Sequence, residues 1–128
     1  MTVAYDINRE DGLVTITGTE AVEIEQACEL GRRMLRDAHF DPKLPHLVDL
    51  RGLVVDRDAS QSRAFKAFVL DEYAPKINAS VAVVISETLD DQSCAALYHL
   101  TCSMDRTELF DHYDQALKWL MRREFVTP

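Results

Sequence analysis

Apolar and polar positions alternate at the start of the chain, first at Val3, Tyr5 and Ile7 and then at Val14 and Ile16. A period of two puts successive side chains on opposite faces of a strand. Between the runs lies Arg9-Glu10-Asp11-Gly12, ending in the Asp-Gly pair that accepts positive φ in a tight turn. The pattern predicts a β-hairpin. The period then lengthens: Ile24, Ala27, Cys28, Gly31, Met34, Leu35 and Ala38 recur at three- and four-residue steps, the stripe of an amphipathic helix. Thr19 is its expected cap. Its outer face carries Glu20, Glu23, Glu25 and Glu29 early and Arg32, Arg33 and Arg36 late, the order that suits the helix dipole. Pro42 and Pro45 mark a loop.

His46 to Arg51 reads as a strand, followed by a loop from Gly52 to Asp58 that is partly extended through Leu53, Val54 and Val55. A second helix is expected from Ala59 to Tyr73, with Asp58 and Gln61 at capping-box spacing and Ala74-Pro75 as its stop. Ser80 to Ile85 is continuously apolar and β-branched after its first residue, as in a strand covered on both faces. Thr88 is the expected cap of a third helix from Leu89 to Met104, with Asp91 at the capping-box position. A short strand at Glu108 to Phe110 leads to a last helix striped by Tyr113, Ala116, Leu117, Leu120 and Met121. The order is ββαβαβαβα, which predicts a single α/β domain with a mixed, mostly parallel sheet of four to five strands and right-handed crossovers.

Composition agrees with one ordinary domain: 128 residues, 47% apolar and 28% charged. The excess of 22 acidic over 14 basic side chains gives a net charge of −8. The nearest thing to a basic cluster is Lys118, Arg122 and Arg123, which suits the negative end of the last helix, so nucleic acid and anionic membranes are not expected partners. No apolar run exceeds strand length, so no integral membrane segment is expected. Cys28, Cys94 and Cys102 form an odd set without a CxxC pair, and no leader opens the chain. Reduced cysteines in a cytoplasmic protein are therefore expected, with Cys94 and Cys102 packed in the core beside Leu97 and Tyr98.

Candidate chemistry is sparse. Asp49 ends a strand, where open α/β sheets place ligands. A DxDG phosphotransferase pattern would need a second carboxylate at the position of Arg51, which neither takes up nor releases a proton. Asp49 is therefore expected to accept hydrogen bonds from backbone or from an arginine. Asp56-Arg57-Asp58 forms a DxD, yet the chain has no glycine-rich loop to cradle a phosphate, and a solvated turn with a helix cap is expected. Cys94 and His99 lie roughly 140° apart around a helix and do not make one metal site. His39, His46 and His112 stand at element ends, where solvent or backbone contacts are expected. No GxSxG elbow occurs. On these grounds no catalytic residues, cofactor or metal are expected. In the second helix Phe65, Phe68 and Val69 are expected to face the sheet, with Leu70 on the rim and available to a partner.

Two strings, Leu47-Val48-Asp49-Leu50-Arg51-Gly52 and Ala116-Leu117-Lys118-Trp119-Leu120, with Phe110 ahead of the latter, resemble the SpoIIAA-like family, relatives of the STAS domains of anti-sigma-factor antagonists. The resemblance runs from about Tyr5 to Met121 and rests on mostly apolar motifs. It implies helices largely on one face of the sheet and a binding surface near the second helix. Sporulation-type STAS domains bind a partner kinase there and are switched by phosphorylation of a serine in a DSSG-like string. The matching stretch is Asp56-Arg57-Asp58-Ala59, followed by Ser60 and Ser62. Asp56 fits, while the serine and glycine positions do not. A phosphate on Ser60 or Ser62 would meet the free amides of a first helical turn, opposed by Asp56 and Asp58. Capping and solvent contact are the expected roles of both serines. Many members of the family lack the string, and some are likened to lipid-binding domains.

The functional expectation is a non-enzymatic, regulatory module that binds another protein through 52–73. The alternative is a binder of a small apolar ligand or lipid, suggested by surplus apolar residues in the second and third helices. Self-association as a homodimer is a further expectation, because exposed apolar surface needs covering.

Overall fold

The alternation at the start of the chain is realised as an antiparallel hairpin of β1 (Ala4–Asn8) and β2 (Leu13–Thr17), with Asn8 opposite Leu13. Gly12 takes a φ of 66° in its turn, and the Asp11 N–H donates to Asn8 Oδ1 at 3.0 Å. The computed structural model describes residues 3–18, 22–54 and 59–125; of 22, 53–54, 59–62 and 123–125 only the backbone is described. Within these residues β4 (His46–Asp49), β6 (Val81–Val84) and β7 (Thr107–Phe110) add in parallel to the hairpin, giving a five-stranded sheet in the order β1-β2-β4-β6-β7. The expected mixed, mostly parallel α/β sheet is present. Beside it β3 (Val22–Glu23) and β5 (Leu53–Val54) form a two-stranded parallel sheet; β5 fits the extended stretch expected there, and β3 is too short to leave a periodic signal.

Strand parity sorts the core into two layers. Val14, Ile16, Val48, Leu50 and Val81 face Ile24, Cys28, Leu30 and Met34 of α1 (Ile24–Leu35), and Phe68, Val69 and Tyr73 from the second helical segment. Leu47, Ala82 and Val84 face Ala116 and Leu120 of α4 (Tyr113–Phe125). All four residues of β4 are buried, as a central strand covered on both faces requires. α3 (Asp91–Cys102) joins the first layer through Leu100, followed by Met104 just beyond its end. No helix among the described residues is long and apolar enough to cross a membrane.

Several local expectations need correction. Thr19 and Glu20 lie outside the described residues, and α1 is capped by Glu23, whose N–H donates to Gln26 Oε1 at 3.1 Å in a reciprocal capping box. Glu23 therefore closes the helix instead of decorating its outer face. At α3 the cap is Asp90, whose carboxylate accepts from the Ser93 N–H at 3.2 Å. Thr88 is consumed one turn earlier, its hydroxyl 2.8 Å from Ser86 Oγ. The expected helix from Ala59 to Tyr73 is α-helical only as α2 (Ala59–Ala67) and continues as a π-helical turn, Phe68–Tyr73, and a 3₁₀ turn, Ala74–Lys76. At 3.6 residues per turn Phe68 and Tyr73 would stand roughly 140° apart. The wider π turn brings both inward, with ring centroids 6.3 Å apart.

Candidate ligand-binding cleft between α2 and α3

α3 covers the sheet incompletely. Of its residues only Leu97 and Thr101 are buried, and Leu100 is half-buried. Behind them lies a cavity of about 80 Å³, walled by Ile16, Val48, Leu50, Val81 and Val83 from the sheet, Gly31 from α1, Phe65, Phe68, Val69 and Tyr73 from the second helical segment, and Leu97, Leu100 and Thr101 from α3. The polar groups on this wall are occupied elsewhere: Thr101 Oγ1 donates to the Tyr98 carbonyl at 3.0 Å, and Tyr73 Oη lies 2.7 Å from His46 Nδ1. The lining is otherwise hydrocarbon.

Gly31 sets the depth of this space. A Cβ at that position would lie 2.5 Å from Phe68 Cζ, so the ring stands directly on the α1 backbone. The same ring carries the Arg32 guanidinium on one face at 5.2 Å, and Arg32 makes a forked ion pair with Glu72 in the π turn, the shortest distance being 3.0 Å. Glu72 is held below the usual carboxylate range chiefly by the hydrogen bond from Arg32. α1 and the π turn are thus clamped together, while α3 has no comparable tie to either among the described side chains.

Outward, Phe65, Leu97 and Leu100 are also walls of a larger cleft of about 350 Å³ between α2 and α3. Its remaining lining is Ile24, Arg63, Lys66, Ser93, Ala96, His99 and Ser103. Among the described residues the outer space is apolar at its floor and carries Arg63 and Lys66 at its rim.

His46 was expected to meet solvent or backbone at a strand end. It is instead fully buried, because the first residue of central β4 is roofed by Phe40 and Tyr73, each edge-on to its ring. Burial lowers its pKa to about 4, and burial likewise raises that of Tyr73. Among the described atoms His46 Nε2 has no hydrogen-bond partner. Sequence reading missed this pair because the partners are 27 residues apart and nothing local connects them.

The other expected residues fall into separate places. Asp49 is buried and accepts from Arg51 Nε at 2.9 Å, Arg51 Nη2 at 2.7 Å and the Arg51 backbone N–H at 3.2 Å, the role expected for it. The guanidinium lies over the Tyr113 ring at 5.4 Å. This pair sits on the α4 side of the sheet, away from the cavity, above an open cleft lined also by Glu87 and His112. There His112 lies 2.7 Å from Asp111 and 2.8 Å from Glu87, and its pKa is raised chiefly by the hydrogen bond to Asp111. Phe65 lines the α2–α3 cleft, and Leu70 is half-buried in the π turn. Asp56 and Asp58 lie outside the described residues, as do the side chains of Ser60 and Ser62 in the first turn of α2. The expectation for α3 is corrected: Cys94 is half-buried, Cys102 is exposed and Tyr98 is 59% exposed, because Leu97, Leu100, Thr101 and Met104 take the inner stripe. Cys28 is buried, and burial raises its thiol pKa.

Compared with family models, curated proteins and solved structures, the chain has no match in any of the three.

Proposed function

We propose that this domain binds a small apolar ligand in the cleft between α2 and α3. One observation carries the reading: a hydrocarbon-lined pocket of about 80 Å³ against the sheet shares Phe65, Leu97 and Leu100 with a cleft of about 350 Å³. Protein interiors are packed as densely as organic crystals. At ~24 cal/mol per Å³, leaving 80 Å³ unfilled costs about 2 kcal/mol, which an apolar ligand returns on binding. Ligand sites are typically clefts of about 300–1,000 Å³ with apolar walls and few polar groups, and the outer cleft is of that kind. α3 supplies the moving part, since an element with few buried side chains opens at low cost. The hydroxyls on the inner wall are engaged with protein partners, which leaves the wall hydrocarbon toward a ligand.

The partner-binding reading implied by the SpoIIAA-like resemblance uses the same helix. The two part at Phe65, which serves a ligand from a cleft wall and a partner only from an outer face; it is half-buried and borders both spaces. The test uses the neutral fluorophore N-phenyl-1-naphthylamine, whose rings need the outer cleft, with the purified chain and with Leu97→Trp, which adds its bulk at the wall that the cleft shares with the cavity. Bright, saturable fluorescence with the native chain and none with the folded variant supports the cleft. A dark native chain, together with a bare mass in native mass spectrometry, overturns it.

A further inference from the structure

We infer that the ligand of this cleft is a single-chain amphiphile with an anionic head, a carboxylate or phosphate, whose tail enters the cavity and whose head stays at the rim. The inference rests on the cleft holding an apolar ligand at all. Its observation is the sign of the rim. The chain carries 22 acidic and 14 basic side chains, yet the described lining of the outer cleft holds Arg63, Lys66 and His99 and no acid. Arg63 and Lys66 are three residues apart on α2 and so neighbour each other on one helix face. His99 comes from α3 on the opposite side. Neither Arg63 nor Lys66 makes an ion pair with a described residue, whereas Arg32 and Arg51 are each locked to a carboxylate.

Geometry then fixes which end goes where. A charged head carried into the hydrocarbon-lined cavity would lose its hydration without a partner, so it remains at the mouth. There two cations and the helix-borne imidazole face it, and the Ser103 hydroxyl is turned back to the His99 carbonyl at 3.0 Å. The inner space is about 80 Å³, roughly half the ~150 Å³ that admits a benzene ring in an engineered cavity. It accepts the end of one alkyl chain, not a ring or two chains side by side. Exposed charge contacts are individually weak, so the head contributes discrimination of about tenfold over an uncharged one.

The experiment displaces N-phenyl-1-naphthylamine from the full chain with dodecanoate, dodecyl phosphate, dodecanol, dodecyltrimethylammonium, dioctanoyl phosphatidic acid and inorganic phosphate. Dodecanoate and dodecyl phosphate are expected to bind about tenfold tighter than dodecanol, with the ammonium weakest and the gap narrowing in salt. Arg63→Gln with Lys66→Gln, both at exposed positions, is expected to bring the two acids to the affinity dodecanol shows with the unsubstituted chain. Dodecanol binding as tightly as dodecanoate overturns the anionic head and leaves the cleft standing. Phosphatidic acid binding as tightly as dodecyl phosphate overturns the single chain. Displacement by inorganic phosphate alone means a bare anion site and overturns the amphiphile. If no compound displaces the probe, the cleft falls as well.

Discussion

Acidification tests the burial of His46 directly. Its ring has no solvent exposure, and burial takes its pKa from 6.5 to about 4. Above pH 6.5 neither the folded nor the unfolded chain holds the extra proton, and the neutral ring contributes its full stability. Between 6.5 and 4 the unfolded chain binds a proton that the folded chain refuses, so stability falls as pH falls. Two and a half units at about 1.4 kcal/mol each amount to about 3 kcal/mol, a large share of the ~5–15 kcal/mol that holds a domain together. The reference is His46→Leu combined with Tyr73→Phe. Removing both partners leaves little cost, whereas Tyr73→Phe alone strips the His46 ring of its bond and costs about 1–3 kcal/mol. Urea unfolding of both proteins at about pH 7.5, 6.5, 5.5 and 4.5 reads the difference. The pair should be close in stability at the highest pH and the double variant ahead by about 2–3 kcal/mol at the lowest. His112 acts in the opposite sense, because its folded pKa is raised: its contribution is complete below 6.5 and is lost as pH rises through the folded value. It is half-exposed and common to both proteins, so it cancels. Asp37, Glu72 and Asp111 are lowered from ordinary values of 3.8, 4.5 and 3.8, and their contributions fail mainly below this window. A difference that stays constant across the four pH values refutes the account of His46.

Three further outcomes are expected. Gly31→Ala places a Cβ 2.5 Å from Phe68 Cζ and pushes the ring into the cavity; overpacking of about 1–3 kcal/mol, offset by about 1 kcal/mol of helix propensity, gives a small net loss in urea unfolding but weakens displacement of the probe by dodecanoate, whose tail needs that space. Arg51→Ala should cost more than Asp49→Ala, about 3 against about 1–2 kcal/mol, because it leaves a carboxylate that is 4% exposed with the residue-51 backbone N–H in place of a forked guanidinium, while the arginine freed by the reverse change is already half in solvent; equal losses would contradict this. Backbone amides of α3 should exchange hydrogen faster than those of α1, and dodecanoate should slow them selectively; uniform exchange across the two helices would deny α3 its role as the opening element.

The architecture was legible where one period ran long enough. The apolar run ending at Ile85 marked a strand covered twice, and β6 is one place from the sheet centre. The stripe from Tyr113 to Met121 marked α4, although Met121 itself is exposed. What was not legible depends on distances between elements. A six-residue π turn contains too few positions to separate its period from that of an α-helix, so Tyr73 looked like the last residue of an ordinary helix. Asp90 and Thr88 are both good caps by type, and only the Ser86–Thr88 turn decides between them. The cleft was visible only as a surplus of apolar residues. Leu97, Leu100 and Met104 make a respectable stripe, and whether they reach the sheet depends on how closely α1 and Phe68 have already filled the space.

Among the described residues the sheet is open at both ends, with β1 and β7 each offering one unpaired side. Such edges invite a second copy to continue the ladder. Both are short, and each points one acid outward at its middle, Asp6 on β1 and Glu108 on β7. A pairing that set these acids opposite one another would be repulsive. The ladder is finished by charge where a barrel would finish it by closure.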